Sequence, residues 1–377
     1  MNFNDMLSNL KRDAAAVPLA SARVAKRNKA ESSVPRQDRS FPKAKVDAVY
    51  LICPPNVQTG GPEAMHQLCD KINSLGDSSE ISAYMLYIED RNGRAYMKCD
   101  SETHPAYLMY QNVKVCNEWT PETSHDGDEY NGSLLVWPEI WTNLISSVKG
   151  KHQNAIWWLS VDNNNGKFQE WERKDLLHLH QSEYARCHIE DNLRKARNFD
   201  PKQVLPMTEY ISLKSDVPET SRDLEIVYNP LKGIHYTDGI RKRSGKKFSF
   251  TPIGGAKKRL SQLEVSKLLH RAKIYIDFGP HPGMDRLPRE AALAKCIIIT
   301  NKDGSAFYNE DVPVPRIYKI ADFDVNAVHQ LLSECINGYI DKTKDFDSYR
   351  EWISTQEGRM NTCVKSLINT IVKNRSK

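Results

Sequence analysis

The chain has 377 residues, 40% hydrophobic and 27% charged, with a mean hydropathy of −0.60. That length suits about two domains with self-sufficient cores, and its longest apolar runs, such as Cys296 to Thr300, are strand-sized, which argues against an integral membrane protein. The formal net charge is +5, but ten basic against four acidic residues in the first 45 give that stretch +6 and leave the remainder at −1, so basicity belongs to the N-terminal segment.

Residues 1–45, rich in Ala, Ser, Pro, Lys and Arg, read as a basic flexible arm with one short helix over Phe3–Ala15. The apolar stretch Ala14–Ala22 is short and broken by Pro18, a poor secretory signal. From Val46, apolar runs alternate with amphipathic segments, the pattern of a parallel sheet covered by helices. Strands are expected at Ala48–Cys53, Ile81–Ile88, Leu134–Trp137, Ala155–Ser160 and Leu176–His180, with helices at Pro62–Asn73, Glu139–Val148 and Gln181–Lys195. A second series follows Pro206: strands at Leu224–Tyr228, Lys247–Pro252, Lys273–Phe278 and Cys296–Thr300, helices at Leu260–Ala272, Leu287–Lys295 and Val325–Ile340. Met207–Ser221 reads as the linker, and an amphipathic helix over Ser348–Val372 closes the chain. The expected class is α/β with two Rossmann-like domains, 46–206 and 207–345, and a terminal segment 346–377 placed to pack back on the first. Eight scattered cysteines without a C-x-x-C pair read as reduced core thiols, which suits a cytoplasmic protein.

The most informative stretch runs from Lys273 to Thr300. A buried strand ends at Asp277, a loop with Gly279, Pro280, His281, Pro282 and Gly283 follows, and a helix opens near Pro288. Ligands of open α/β sheets bind at that edge, where a helix N-terminus offers unpaired N–H groups to a phosphate. Glu290-Ala-Ala-Leu-Ala-Lys-Cys-Ile-Ile-Ile resembles the later half of the two-glutamate motif of retaining glycosyltransferases with the GT-B fold. The wording around A-K-I-Y-I-D-F-G and H-P-G-x-D-R-x-P-R-E-A-A is also similar to bacterial and phage glycosyltransferase-like proteins. The resemblance implies that Glu290 binds the ribose hydroxyls of a nucleotide. The motif's earlier glutamate falls on Pro282, so His281 or Asp285 would take over its contact with the donor sugar. Read as plain helix-surface chemistry, Glu290 pairs with Arg286, and Asp285 with Arg289, at i,i+4.

In Glu225-Ile-Val-Tyr-Asn-Pro-Leu-Lys-Gly233 a strand leads to a turn that presents Lys232, which the resemblance assigns to the donor diphosphate. Asn229 stands near the place of the family's arginine, and Arg259 or Lys258, after Gly254-Gly255, would supply the second positive charge; Lys257, Lys258 and Arg259 also read as solvated loop charges. After the first strand, Gly60 and Gly61 precede Pro62 and Glu63, a helix start resembling the glycine-rich loop that meets the diphosphate across the cleft in these enzymes. His66 and Glu63 are candidates for a base, although a histidine one turn into a helix is more often packed. Gly304 and Ser305, after the last sheet strand, would touch phosphate or form an ordinary turn. Asp162-Asn-Asn-Asn-Gly166 has the wrong register for a calcium loop, with Arg173 where glutamate is required, and no metal or other cofactor is expected.

The function implied is transfer of a sugar from a nucleotide-sugar donor to a saccharide or other hydroxyl acceptor, with retention of anomeric configuration and the catalytic roles on Lys232, Glu290 and His66. Alternatives are glycosylation of modified DNA bases, favoured by the basic arm and by Arg241, Lys242, Arg243, Lys246 and Lys247, or an inactive GT-B-like scaffold that binds nucleic acid. The arm also suits contact with an anionic membrane surface.

Overall fold

The computed structural model describes residues 48–75, 81–97, 107–116, 133–148, 152–212, 221–255, 259–321 and 325–373, all within the unit Arg39–Lys377. The arm 1–45 with its expected helix, the greater part of the linker, and Lys257 and Lys258 lie outside the described residues.

The first lobe is built on a seven-stranded sheet. Its strands are β1 (Ala48–Cys53), β2 (Ser82–Arg91), β3 (Arg94–Met97), β4 (Leu134–Pro138), β5 (Gln153–Trp158), β6 (Leu176–His180) and β7 (Val204–Pro206), in the order β3-β2-β1-β4-β5-β6-β7. Among the described residues only the β2–β3 hairpin of this sheet is antiparallel. Helix α1 (Gly60–Leu75) follows β1, and α2 (Glu183–Lys195) follows β6. Alternate residues of a strand face opposite sides, so Val49, Leu51 and Cys53 pack with α1 while Ile52 joins Ile189 and Leu193 of α2 on the other face. The segment expected as a helix over Glu139–Val148 is instead a 3₁₀ run, Glu139–Ser147, kinked at Trp141. Asn164 Nδ2 donates to the Glu139 carbonyl at 2.7 Å and to Thr142 Oγ1 at 2.9 Å, taking an acceptor that an α-helix would need.

The second lobe holds five parallel strands in the order β12-β11-β10-β8-β9. They are β8 (Leu224–Tyr228), β9 (Phe250–Pro252), β10 (Ala272–Asp277), β11 (Ile297–Asn301) and β12 (Lys319–Ile320). Its helices are α3 (Ile234–Ser244), α4 (Gln262–Arg271), α5 (Arg286–Leu293), α6 (Val325–Asn337), α7 (Tyr339–Lys342) and α8 (Asp347–Ser354). The long terminal helix expected over Ser348–Val372 is two: α8 stops and α9 (Gln356–Lys373) begins after a break. Ser354 and Thr355 hydroxyls donate back to the Glu351 and Trp352 carbonyls at 2.7 and 2.8 Å, competing for the acceptors that would continue the first helix. Beyond the break, Met360, Val364, Leu367 and Ile371 enter the core of the first lobe, so the chain crosses back and covers α1. Among the described residues no helix is long and apolar enough to cross a membrane.

Candidate active site

The loops that follow β1, β5, β6, β8 and β10, together with the start of the inter-lobe segment, line one cleft of about 360 Å³. The first lobe contributes Gly60 and Gly61 at the start of α1, with Ser160 and Asn163 beyond β5. The second contributes Asn229 and Lys232 beyond β8, and Gly283, Asp285 and Arg286 beyond β10.

Backbone packing fixes these loops. The turn carrying Lys232 presses on the β10 loop so closely that a Cβ on Gly233 would lie 2.4 Å from the Phe278 carbonyl carbon. Gly233 also needs a positive φ, +55°. The same β10 loop reaches the first lobe: Val161 N donates to Pro282 O at 2.7 Å, and a Cβ on Gly283 would meet Leu159 O at 1.9 Å. From behind, Ser305 N donates to His281 O at 2.8 Å and its hydroxyl to Gly283 O at 2.7 Å. The Gly304–Ser305 turn therefore props the loop and does not itself line the cleft.

Charge in the cleft is matched within the protein. Lys232 Nζ lies 2.5 Å from Asp285 Oδ2, and the same oxygen accepts from His281 Nδ1 at 3.0 Å. His281, only 3% exposed, engages Thr300 Oγ1 through Nε2 at 2.9 Å and lies 4.0 Å from Asp277. Burial pushes His281 down, but the hydrogen bond to Asp285 and the charge of Asp277 outweigh it and hold the imidazole above its ordinary value. Burial pushes Asp285 up, yet His281 and Lys232 hold it below the usual carboxylate range. Asp277, His281 and Asp285 form the group, among the described residues, whose ligand atoms could hold a metal ion, all lying within 4.8 Å of one another. The Lys232 ammonium already rests on that group as a fixed cation.

Helix α5 opens at Arg286, a residue earlier than its sequence start at Leu287, with Asp285 at the N-cap and Pro288 in the first turn. Asp285 makes no cap hydrogen bond, because its carboxylate is turned to Lys232 and His281. Arg286 crosses towards the first lobe, its Nη2 3.2 Å from Glu63 and its Nη1 and Nε each 3.6 Å from Glu209 and Glu290. Burial works against that guanidinium, but these carboxylates hold it firmly charged.

The expected residues divide as follows. Gly60, Gly61, Asn229, Lys232, Asp285 and Arg286 line the cleft, with His281 directly behind Asp285. Glu290 stands one turn along α5, partly exposed and paired with Arg286 as its i,i+4 spacing suggested. Arg259 is exposed in the loop before α4 and does not line the cleft. His66 is buried inside the first lobe, with Nδ1 2.6 Å from Pro62 O and Nε2 2.8 Å from Tyr87 OH, and burial lowers its pKa. Glu63 is also buried, accepts from Tyr110 OH at 2.9 Å and is pushed up by burial. Arg289 makes no surface pair with the Asp285 carboxylate. It is 1% exposed, donates to the Asp285 and Met284 carbonyls at 3.2 and 2.7 Å and to Gln356 Oε1 at 3.0 Å, and pairs with Glu209. Sequence reasoning missed Glu209, which lines the cleft from what read as a plain linker; a lone acidic residue there carries no signal of its own.

Two Rossmann-like lobes facing a cleft of this kind define the GT-B fold. Solved structures similar to this chain include glycosyltransferases of that fold. HepE from Anabaena in complex with UDP-glucose superposes with a TM-score of 0.60 at 10% identity, over 86% of this chain and 99% of that one. A TarM variant from S. aureus in complex with fondaparinux, alpha-GlcNAc-glycerol and UDP gives 0.58 at 10% identity, over 88% and 100%. Sucrose-phosphate synthase from Thermosynechococcus elongatus gives 0.57 at 11% identity, over 87% and 99%. No family model matches the sequence, and no curated protein matches it significantly.

Proposed function

We propose that the protein is a glycosyltransferase that moves a sugar from a nucleotide-sugar donor to a saccharide or other hydroxyl acceptor, with retention of anomeric configuration. The observation that carries this reading is the convergence on one cleft of Lys232 and the uncapped start of α5 from one lobe with the Gly60–Gly61 start of α1 from the other. Breaking the bond between sugar and diphosphate develops negative charge on the leaving group, and fixed cations with helix N-termini stabilise it where it forms. Lys232 and Arg286 are the two cations among the described lining residues. Arg286, rather than the exposed Arg259, is the partner of Lys232 in this reading, and the two supply the charge that a metal otherwise would.

Asp285, backed by His281, replaces the missing earlier glutamate as the acceptor for donor-sugar hydroxyls, giving up Lys232 as the diphosphate arrives. Glu290 binds the ribose hydroxyls, exchanging its long contact with Arg286 for them. His66 has no part in the chemistry, since both its ring nitrogens are engaged within the first lobe. Departing phosphate takes the acceptor proton, so no strong side-chain base is needed. Cys53, Cys69, Cys296 and Cys335 are buried as thiols, which suits a cytoplasmic enzyme.

The cluster Arg241, Lys242, Arg243, Lys246 and Lys247 is exposed but does not by itself single out DNA, and its first three residues have another reason to be basic. These residues end α3, whose first turn is the one near the cleft, and cations at a helix C-terminus are favoured by its dipole alone. The test is a thermal-shift screen of UDP-, GDP-, ADP- and dTDP-sugars with mass detection of released nucleotide. A donor at a hundred times its dissociation constant stabilises the fold by about 2.7 kcal/mol. No shift with any nucleotide sugar, together with salt-sensitive DNA binding, would replace this reading with the scaffold.

A further inference from the structure

Glu209 stands three residues beyond β7 on the segment that joins the lobes and is 1% exposed. One of its oxygens is firmly held: Oε1 accepts from Gln181 Nε2 at 3.1 Å and from Arg289, itself anchored on Met284, Asp285 and Gln356. The other, Oε2, makes no hydrogen bond, and neither does Nη1 of Arg286, 3.6 Å away. Both atoms are buried, and both residues line the cleft. At that separation the two form an ion pair without a hydrogen bond, and hydrogen-bonding capacity left unused on buried polar atoms is costly.

We propose that Glu209 and Arg286 form a recognition point for one hydroxyl of the transferred sugar. A hydroxyl is a neutral group that can donate to the first atom and accept from the second. A phosphate would meet the repulsion of the carboxylate, and a cation that of the guanidinium. Admission of the hydroxyl requires Arg286 to turn aside slightly. Its Cδ lies 3.0 Å from where a Cβ on Gly60 would stand, so the missing side chain there leaves the arginine room to move. The donor sugar is favoured over the acceptor because Arg286 directly follows the Gly283–Asp285 loop of the lobe assigned to the donor. This inference rests on the glycosyl-transfer reading and adds to it a carboxylate outside the second domain's motif.

The test is calorimetric titration with UDP-glucose, GDP-mannose, ADP-glucose and dTDP-glucose, each paired with its own nucleoside diphosphate, on the wild type and on Glu209→Gln. The glutamine keeps an oxygen for Arg289 and Gln181 but turns an amide N–H₂ towards Arg286. The nucleotide sugar bound by the wild type should weaken roughly tenfold to a hundredfold, the worth of a hydrogen bond to a charged group, while its nucleoside diphosphate stays within about twofold. In a series of donors each lacking one ring hydroxyl, the wild type should reject one analogue by a similar factor and the variant should not. Should Glu209→Gln fail to fold, Arg286→Lys, which keeps the charge and removes Nη1, should show the same loss of discrimination. If the wild type binds none of the nucleotide sugars, the glycosyl-transfer reading falls and takes this one with it. If it binds one, but Glu209→Gln weakens sugar and diphosphate equally, or either variant keeps the full deoxy-sugar discrimination, the hydroxyl site alone is refuted.

Discussion

Replacing Asp285 by asparagine separates two roles that its carboxylate combines. The substitution keeps the volume of the side chain and removes the charge that holds Lys232 at 2.5 Å. Both side chains are largely sheltered, 22% and 24% exposed, so the ion pair is worth more than a surface pair and falls in the range of a hydrogen bond between charged groups, about 1.5–3 kcal/mol. A diphosphate that takes Lys232 must first offset that attraction. Asp285→Asn should therefore bind the nucleoside diphosphate more tightly than the wild type, by a factor of about ten to a hundred at most, since the neutral amide still competes weakly. The gain should not extend to the nucleotide sugar, whose hydroxyls lose their ionised acceptor. Calorimetric titration at constant ionic strength, with Lys232→Ala alongside, reads both effects. If Asp285→Asn weakens the diphosphate as severely as Lys232→Ala does, Asp285 positions the lysine for the ligand and the competition argument is wrong.

Three further outcomes follow from the geometry. The raised imidazole of His281 contributes stability that is present below the ordinary histidine value and is lost as pH rises through its higher folded value, while the lowered carboxyl of Asp285 contributes above the ordinary carboxylate value and is lost in acid. His281→Asn should therefore lower Tm most between about pH 4 and 6.5 and progressively less at higher pH; a pH-independent difference would mean that charge is not involved. Gly283→Ala places a Cβ 1.9 Å from Leu159 O, where backbone and not a flexible side chain must yield, so it should destabilise the protein by about 1–3 kcal/mol or more in chemical unfolding. Leu367→Ala, in the part of α9 buried against the first lobe, should cost about 2–5 kcal/mol in the same assay, and a loss under 1 kcal/mol would refute the packing of that helix.

How far the sequence could be read depended on whether a signal was local. The strands β1, β6 and β8 are legible to the residue because apolar runs bounded by turn residues mark them directly. Lys232 and Asp285 could be found because each sits on a loop just beyond a strand, the place where an open α/β sheet delivers its chemistry. His66 shows where this stops. Its helix is buried from Pro62 through Asp70, covered by the sheet on one side and by α9 from the far end of the chain on the other, so no helical periodicity reveals which side is solvent. Arg289 offered i,i+4 spacing to Asp285, as any surface pair does, and its actual partners Glu209 and Gln356 come from the inter-lobe segment and from α9. The break that begins α9 at Gln356 is what brings that residue to the arginine, and the paired hydroxyls of Ser354 and Thr355 that cause it are ordinary surface residues in the sequence.

The compensation of charge in the cleft bears on selectivity more than on affinity. Lys232 rests on Asp285, and Arg286 is surrounded by Glu63, Glu209 and Glu290, so an incoming anion exchanges partners with carboxylates and gains little from bare cations. Exchange takes a cation from carboxylates that keep only their remaining donors, and a sheltered carboxylate that loses counter-charge is costly. A ligand of phosphates alone leaves that cost standing. One that carries hydroxyls beside its phosphates reduces it, because Asp285 and Glu209, which line the cleft, find donors there when the cations turn away. On the proposed function, this makes the cleft a poor host for inorganic phosphate or pyrophosphate and a better one for a sugar joined to a nucleoside diphosphate, with discrimination that grows with the number of carboxylates the ligand sets free.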